Sequence, residues 1–269
     1  RAKVNLSLKI LGKRDDGFHR LETRMAPISL ADRLTFTPAD EYRLICDSPG
    51  VPLDETNLVT KAVRIFQRET GKVCSYELLL DKKVPHGAGL GGGSGDAAAT
   101  LRALNILEGT GVSTKVLSGW AAKIGSDVPF FVFDSVCDCS GRGEIVEPLD
   151  WPHQVDALLL KPSFGVSTPV AYKDWIRSTE IVGVDYSPQD LSWGGMLNDL
   201  ERPVFQKHRF LSEMKMWLLG RDEVAAAMMS GSGSTMIAIL KSIDKAEQLA
   251  AEAKSQLDPT LWTQLVKIG

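Results

Sequence analysis

A glycine-rich run between residues 85 and 99 carries the strongest chemical signal in this sequence. Six of the nine residues from 87 to 95 are glycines, and an alanine-rich stretch that favours a helix follows over residues 96–107. Glycines leave backbone N–H groups uncovered, and the first N–H groups of a helix have no partner within it. Because the positive end of the helix dipole points at the same place, such a loop binds anions. We predict a phosphate site with a nucleotide as its carrier, and therefore a phosphotransferase.

The spacing of the glycines differs from two common nucleotide motifs. No Gly-Lys-Ser or Gly-Lys-Thr follows them, as a P-loop would require. Gly87, Gly89 and Gly92 give G-x-G-x-x-G, but no parallel βαβ unit with an acidic residue about 20 residues further on is evident. A flexible linker is the structural alternative. Such linkers rarely lie between a strand and an alanine-rich helix with Asp96 in its first turn, so we favour phosphate binding.

Asp127 is the candidate for proton transfer. It lies in the turn Gly125-Ser126-Asp127-Val128-Pro129, before an apolar segment at residues 130–133. A kinase that acts on an alcohol needs a base to accept the hydroxyl proton, and a carboxylate close to a cation can do this. An ordinary turn aspartate is equally compatible with these residues. Lys3, at the start of the chain, is by itself typical of a solvated lysine at a strand end.

The overall composition narrows the class of protein. The 269 residues suffice for one large domain or two lobes, and a net charge of −3 argues against a nucleic-acid partner. No apolar run approaches the ~20 residues that span a bilayer, and no signal peptide is visible. Cys137 and Cys139 form only a C-x-C pair, which is not a zinc pattern, so we expect reduced cysteines in a cytoplasmic protein. Because the sequence begins without Met, we also expect a short N-terminal piece to be missing.

Hydrophobic periodicity predicts the elements that position these residues. Alternation or apolar runs predict strands over residues 4–10, 33–37, 42–46, 76–80, 154–160 and 235–240. Helical spacing predicts helices over residues 57–69 with Thr56 as cap, 96–107, 113–124 with Ser113 as cap, 207–219 and 243–254. Prolines and Trp151 mark a boundary near residues 148–153. We predict a two-lobed α+β protein with lobes 1–150 and 151–269.

Several of these segments carry a family resemblance. The run from Pro85 to Ala99 resembles the phosphate-binding motif of the GHMP kinase superfamily. Within that superfamily, further segments resemble the 4-diphosphocytidyl-2-C-methyl-D-erythritol kinases: Ala2-Lys3-Val4-Asn5-Leu6, Asp16-Gly17-Phe18-His19, Gly125-Ser126-Asp127-Val128-Pro129-Phe130-Phe131 and Ser230-Gly231-Ser232-Gly233-Ser234. The chain departs from the family at Ser94-Gly95, where Ser-Ser is usual. We expect Gly95 to lower the rigidity of the loop and to remove one possible hydroxyl ligand.

The resemblance implies a fold and a reaction. The implied fold has an N-terminal lobe like domain 2 of ribosomal protein S5 and a ferredoxin-like C-terminal lobe, with the site between them. The implied reaction is the ATP-dependent phosphorylation of the 2-hydroxyl of 4-diphosphocytidyl-2-C-methyl-D-erythritol, a step of the non-mevalonate isoprenoid route. Mg²⁺ is expected beside the ATP phosphates, because transferring phosphates need their charge neutralised.

The resemblance also assigns roles to residues. Lys3 and Asp127 are the implied catalytic pair. The implied ATP-binding residues are Asn57, Lys82, Pro85, Gly87, Gly89, Leu90, Gly91, Gly92, Gly93, Ser94, Gly95 and Asp96. The implied substrate-binding residues are Asn5, Phe18, His19, Thr168, Tyr172, Gly231 and Gly233. Phe18 would stack on the cytosine, His19 would read its polar edge and Tyr172 would close the other side, because stacking holds a base and edge hydrogen bonds select it.

Two alternatives remain open at this point. Another GHMP kinase, for homoserine or mevalonate, would have no cytosine for Phe18, His19 and Tyr172 to hold. A non-catalytic nucleotide-binding or RNA-binding module would need a basic face but no Lys3/Asp127 pair.

Overall fold

Strands and helices are mixed along the chain, without regular alternation, in the computed structural model, which describes residues 1–269. The strands are β1 (Lys3–Lys13), β2 (His19–Pro27), β3 (Arg33–Pro38), β4 (Arg43–Ile45), β5 (Tyr76–Asp81), β6 (Cys137–Gly141), β7 (Ile145–Pro148), β8 (Val155–Lys161), β9 (Gln189–Leu191), β10 (Gly194–Met196), β11 (Val224–Met229), β12 (Met236–Leu240) and β13 (Trp262–Ile268). The helices are α1 (Leu58–Thr70), α2 (Gly92–Leu107), α3 (Thr114–Ala121), α4 (Val128–Phe133), α5 (Thr168–Trp175), α6 (Glu201–Lys207), α7 (Arg209–Leu219) and α8 (Ala246–Gln256).

The first half of the chain builds two sheets and four helices. One sheet has the strand order β1-β2-β6-β7 and is antiparallel throughout. The other has the order β3-β5-β4, in which β4 runs parallel to β5. Helices α1 to α4 cover these strands, and Phe66, Leu101 and Phe130 are fully buried among them. This layer holds the glycine run between β5 and α2.

The second half builds the antiparallel sheet β11-β12-β8-β13, whose two faces are both buried. Leu158 and Leu160 of β8 pack with residues of α6, α7 and α8 on one face. Ala157 and Leu159, which alternate with them, pack on the other face with residues of β1 and β2. Strand β1 therefore lies in a core layer shared by both halves of the chain.

Most of the predicted elements are confirmed, with different bounds. All six predicted strands are present, as β1, β3, β4, β5, β8 and β12. Ser113 is the N-cap of α3, as predicted, although this helix ends at Ala121 rather than at residue 124. The cap of α1 was predicted wrongly. It is Asn57 and not Thr56, because the Asn57 side chain accepts a hydrogen bond from the Val59 N–H, 2.8 Å away.

The start of α2 was also predicted wrongly, and this matters for the phosphate site. The helix begins at Gly92, four residues before the predicted start, and Gly91 precedes it with a φ of +66°. Gly95 therefore lies inside the helix, where its N–H donates to the Gly91 carbonyl at 2.9 Å. Asp96 lies in the second turn, not the first. Glycine's low helix propensity hides this start from the sequence.

Other differences arise where packing overrides local preference. The predicted helix over residues 207–219 is α7, which begins two residues later because the backbone turns at His208. The helix before that turn, α6, was not predicted. The predicted helix over 243–254 begins with a single 3₁₀ turn, Ile243–Lys245, before α8. The apolar segment after Asp127 is the short helix α4. Strand β11 has the sequence VAAAMM, which gives no alternating pattern because both of its faces are buried.

The two-lobed α+β fold class is confirmed. The division at residues 150 and 151 stays a prediction, and it falls in the link between β7 and β8. No helix combines the length and the apolar character that crossing a membrane requires.

Candidate active site

One cavity of about 920 Å³ lies between the two halves and collects almost all of the predicted site residues. Of the residues predicted to bind ATP, all except Gly95 line it. Of those predicted to bind the second substrate, all except Gly233 line it, and both Lys3 and Asp127 do. The volume lies at the upper end of the range of small-molecule sites, which is about 300–1,000 Å³.

The glycine run forms a loop whose backbone closely approaches the second glycine-rich turn of the chain. A Cβ at Gly89 would clash with the carbonyl oxygen of Ser230 and would lie 2.9 Å from that of Gly233. The Ser230 hydroxyl donates to the Gly89 carbonyl at 3.2 Å, and the Thr235 N–H donates to the Ala88 carbonyl at 3.3 Å. Backbone from each half of the chain thus meets at the phosphate end of the cavity.

This contact gives a test of the loop. We expect Gly89→Ala to push the two loops apart, to raise the KM for ATP by about 10-fold or more and to destabilise the protein by about 1–3 kcal/mol through overpacking. Gly87→Ala is the matched control, because Gly87 also has a positive φ (+64°) but a Cβ there would meet nothing within 4 Å. Steady-state kinetics and thermal unfolding of both variants measure the difference. Equal effects of the two substitutions would attribute the loss to backbone strain alone.

Lys3 is buried, and its position is fixed from several sides. It is 3% exposed, its N–H donates to the Leu90 carbonyl of the glycine loop at 2.9 Å, and its ammonium donates to Asn5 Oδ1 at 2.6 Å. Asn5 in turn donates to Thr23 Oγ1 at 2.8 Å. Burial lowers the pKa of Lys3, while the carboxylate of Asp127 opposes that shift. Because Asn5 is itself fixed by Thr23, its hydrogen bond with the ammonium holds the Lys3 side chain in place.

Asp127 and Lys3 face each other across the cavity, so a carboxylate and an ammonium lie side by side there. Asp127 Oδ2 lies 3.8 Å from Lys3 Nζ, and the carboxylate is 42% exposed to the cavity. Asp127 occupies the N-cap position of α4, but its side chain makes no capping hydrogen bond. A Cβ at Gly143 would lie 3.8 Å from Asp127 Oδ1, so the absence of a side chain there leaves room beside the carboxylate. The carboxylate therefore has no capping role, and open space lies beside it.

Three charged side chains beside the glycine loop form an ion cluster that the sequence did not indicate. Lys82 Nζ donates to Asp96 Oδ2 at 2.8 Å and also pairs with Asp32. Burial lowers the pKa of Lys82, but the two carboxylates raise it by more, so it lies above the ordinary value. Burial raises the pKa of Asp96 to about 6, with Lys82 opposing the shift. The ATP-binding roles of Asn57 and Lys82 stay predictions. The neutral Asn57 side chain caps α1, and the Lys82 ammonium is paired with two carboxylates.

The three aromatic side chains that were predicted to hold a base, Phe18, His19 and Tyr172, all line the other end of the cavity. His19 stacks on Tyr172, with ring centroids 5.5 Å apart and an interplanar angle of 28°. Phe18, which is 50% exposed, faces the guanidinium of Arg142, whose Cζ lies 4.7 Å from the ring centroid. Tyr172 belongs to helix α5. Burial, followed by the charge of Lys13, lowers the pKa of His19, which keeps the imidazole neutral near pH 7.

Gly95 and Gly233 do not line the cavity, and packing accounts for both. A Cβ at Gly95 would lie 2.6 Å from the Arg1 carbonyl oxygen and 3.4 Å from the ring of Phe131. The expected loss of loop rigidity therefore does not apply to Gly95, since it lies in α2 and makes space for the first strand. A Cβ at Gly233 would lie 2.7 Å from the sulfur of Met229, so this glycine lets the turn pack on β11.

Three residues near the cavity were missed by the sequence reasoning. Arg142 and Ser232 line it, and the Ser232 hydroxyl lies 2.6 Å from that of Thr168. Ser232 lies inside the quoted motif Ser230-Gly231-Ser232-Gly233-Ser234, so its neighbours in sequence could have indicated it. Asn198 donates to the carbonyls of Met229 and Gly231, at 2.7 Å each, and so supports the second glycine-rich turn. No sequence signal marks Asn198, because its partners lie about 30 residues away.

Comparison with known proteins places this architecture in a family. Residues 57–135 match the family model described as "GHMP kinases N terminal domain", and residues 189–258 match "GHMP kinases C terminal". A curated relative from Methylacidiphilum infernorum, named 4-diphosphocytidyl-2-C-methyl-D-erythritol kinase, is 40% identical over 99% of this chain and 94% of its own length. The chain belongs to the GHMP kinases. A chloroplastic relative of the same name from Mentha piperita is 39% identical over 88% of this GHMP kinase, which spans 62% of the plant protein.

A solved structure agrees with the sequence comparison. The crystal structure of a 4-(cytidine 5'-diphospho)-2C-methyl-D-erythritol kinase is similar to this GHMP kinase with a TM-score of 0.80 and 32% identity. The match covers 100% of this chain and 97% of that one. The similarity therefore extends over both halves of the chain and over the cavity between them.

Proposed function

We propose that this GHMP kinase transfers the γ-phosphoryl group of ATP to the 2-hydroxyl of 4-diphosphocytidyl-2-C-methyl-D-erythritol. The observation that carries this proposal is the single cavity that joins the glycine loop, the Lys3/Asp127 pair and the aromatic side chains at the other end. An ATP bound with its phosphates at the N-terminus of α2 would direct the γ-phosphate toward that pair. The relatives named above support the choice of the acceptor alcohol.

The catalytic step follows from the placement of Lys3 and Asp127. The acceptor hydroxyl lies against the Asp127 carboxylate, which accepts its proton as the oxygen forms a bond to the γ-phosphorus. The bond from that phosphorus to the oxygen bridging the β- and γ-phosphates breaks, and ADP leaves. The ammonium of Lys3, held by Asn5, stabilises the negative charge on the transferring group. Because Lys3 is fixed by packing, little reorganisation is needed during transfer.

The aromatic end supplies the selection of a cytidine-linked alcohol. Phe18 offers an exposed ring face for stacking, and neutral His19 can both donate and accept a hydrogen bond at the edge of a base. Tyr172 and Thr168 line the same end of the cavity. In this assignment the diphosphate of the substrate spans the distance between the base and the hydroxyl beside Asp127.

The donor set of the cavity fits a magnesium ion bound mainly by the nucleotide. Ser94 lines the cavity at the start of α2, and no group of three His, Cys, Asp or Glu side chains forms a metal cage of its own. Mg²⁺ is usually held by one or two protein oxygens together with substrate phosphates. We propose that the Ser94 hydroxyl would hold it. When bound, the ion neutralises charge on the ATP phosphates.

The substrate assignment is tested with a panel of alcohols in a coupled ADP-release assay. We expect turnover with 4-diphosphocytidyl-2-C-methyl-D-erythritol and a kcat/KM at least about 100-fold lower for homoserine and for mevalonate, because neither fills the base end of the cavity. A preparation of Asp127→Asn, purified in the same way, controls for contaminating kinases. Comparable turnover of mevalonate or homoserine would overturn the assignment and leave the chain as a GHMP kinase of another specificity.

Cellular location and partners stay predictions. The four cysteines are free thiols, which supports the reducing cytoplasm expected from the sequence. A small-molecule substrate is the expected partner, with neither nucleic acid nor a membrane required.

A further inference from the structure

Asp32, a residue to which neither motif nor resemblance assigned a role, lies at the base of the glycine loop. Its side chain is 3% exposed, and it precedes β3. Asp32 Oδ1 accepts the backbone N–H groups of Lys83 and Val84, at 2.6 and 2.8 Å. These two residues connect the end of β5 to the loop. One carboxylate oxygen therefore fixes the backbone from which the glycine run starts.

The other oxygen of Asp32 reaches the helix at the far end of the same loop. Asp32 Oδ2 pairs with Lys82 Nζ, which also donates to Asp96 Oδ2 at 2.8 Å in the second turn of α2. A Cβ at Gly92 would lie 3.2 Å from Lys82 Nζ, so the ammonium lies directly against the start of that helix. The Asp32, Lys82 and Asp96 side chains, which we call the loop clamp, thus join both ends of the glycine loop.

The arrangement limits what Lys82 does for the nucleotide. Its side chain is 10% exposed, and its ammonium is engaged by two carboxylates. A lysine held in this way is positioned by its partners instead of being free to follow a phosphate. Buried ion pairs of this kind contribute little net stability, because desolvating the charges offsets their attraction. The loop clamp is therefore better explained by the geometry that it imposes than by stability.

We propose that Asp32 is a positioning residue for ATP: through Lys82 and Asp96 it holds the glycine loop in the conformation that receives the phosphates. This inference rests on the proposed ATP-dependent function. A loop that is already ordered loses less conformational entropy when the ligand binds. If the clamp is broken, a smaller fraction of molecules has the binding-competent loop, and the apparent Kd rises in inverse proportion to that fraction.

Asp32→Asn separates the two functions of the carboxylate. The amide oxygen can still accept the N–H groups of Lys83 and Val84, but the charge that pairs with Lys82 is lost. We expect the Kd for ADP, measured by calorimetry, and the KM for ATP both to rise by about 10-fold. The KM for the alcohol and kcat should stay within about two-fold of wild type, because the clamp touches neither the acceptor nor the γ-phosphate.

Asp81→Asn is the matched control. Asp81 is the last residue of β5 and pairs with Lys83 at 3.0 Å, but its side chain is 48% exposed. Like Asp32→Asn, the Asp81→Asn substitution removes one negative charge close to the glycine loop, but it leaves the loop clamp intact. We expect wild-type nucleotide affinity for this variant. A similar loss in Asp81→Asn would show that net charge near the loop, and not the clamp, sets the affinity.

A double-substitution cycle tests whether Asp32 acts through Lys82. In a Lys82→Met background, Asp32→Asn should cause no further loss of ADP affinity, because the link is already broken. Asp96→Asn weakens the other end of the clamp and should also raise the Kd for ADP; this variant serves if Asp32→Asn does not fold. Unchanged ADP affinity in Asp32→Asn or in Asp96→Asn, or a fall in melting temperature alone, would overturn the proposal. Failure of the wild-type protein to bind ADP would overturn the proposed function instead.

Discussion

Asp127→Asn is expected to lower kcat by about 10²–10⁴-fold, the range associated with loss of a general base. The amide cannot accept the hydroxyl proton, but it has nearly the same size and leaves the phosphate end of the cavity intact. ADP should therefore bind with wild-type affinity, as calorimetry would measure. Because the Asp127 side chain makes no capping hydrogen bond in α4, the melting temperature should also change little.

Two other results for Asp127→Asn would contradict the proposed role of Asp127 as the base. A variant with near-normal kcat would show that the proton leaves by another route, for example to solvent or to the phosphate itself. A variant that loses kcat together with ADP affinity would show that Asp127 organises the nucleotide site and does not act on the acceptor. A measurement of kcat together with a measurement of ADP affinity distinguishes these two results.

Lys3→Met is expected to lower kcat by about 10²–10³-fold, comparable to removing one donor that stabilises transition-state charge. Methionine has a similar length and no charge, so it fills the buried position between Asn5 and the glycine loop. Asn5 loses its partner, but its amide still donates to Thr23. The loss of activity should therefore exceed any loss of stability, which thermal unfolding measures separately.

The pH dependence of wild-type kcat gives an independent readout of Lys3. Burial lowers the pKa of Lys3, and the charge of Asp127 only partly offsets the shift. The lysine acts as a cation, so kcat should fall as pH rises through a pKa that lies below the 10.5 of an ordinary lysine. This alkaline decline should be absent from the residual activity of Lys3→Met. A decline that persists in the variant would assign it to another group.

The sequence was sufficient to predict which residues meet at the glycine-loop end of the cavity. The glycine run predicted an anion site, and the resemblance paired Lys3 with Asp127, although 124 positions separate them. Both predictions rest on residue types that are typical of phosphoryl transfer. In the structure, Lys3 and Asp127 lie side by side in the cavity. In the sheet of the second half, β8 and β12 were predicted but β11 was not, because a strand buried on both faces lacks the alternation that marks a strand.

The remaining features depend on contacts that no local pattern encodes. Asp32 precedes an ordinary strand, and only the folded chain places it beside Lys82 and Asp96. The same is true of the pairing of His19 with Tyr172, which depends on how α5 packs against β2. Gly95 misled the sequence reasoning because a glycine in a motif suggests a flexible loop, whereas this glycine makes room for the Arg1 carbonyl inside a helix.

The position of β1 between two core layers links Lys3, the proposed catalytic cation, to the global stability of the protein. Lys3 cannot become exposed by the opening of a surface loop, since its strand packs with β2 and, through Val4 and Leu6, with the sheet of the second half. Regions of this kind open only when the protein unfolds as a whole. Heat should therefore abolish catalysis in the same transition that melts the core, without an earlier stage in which a folded protein has lost its catalytic cation.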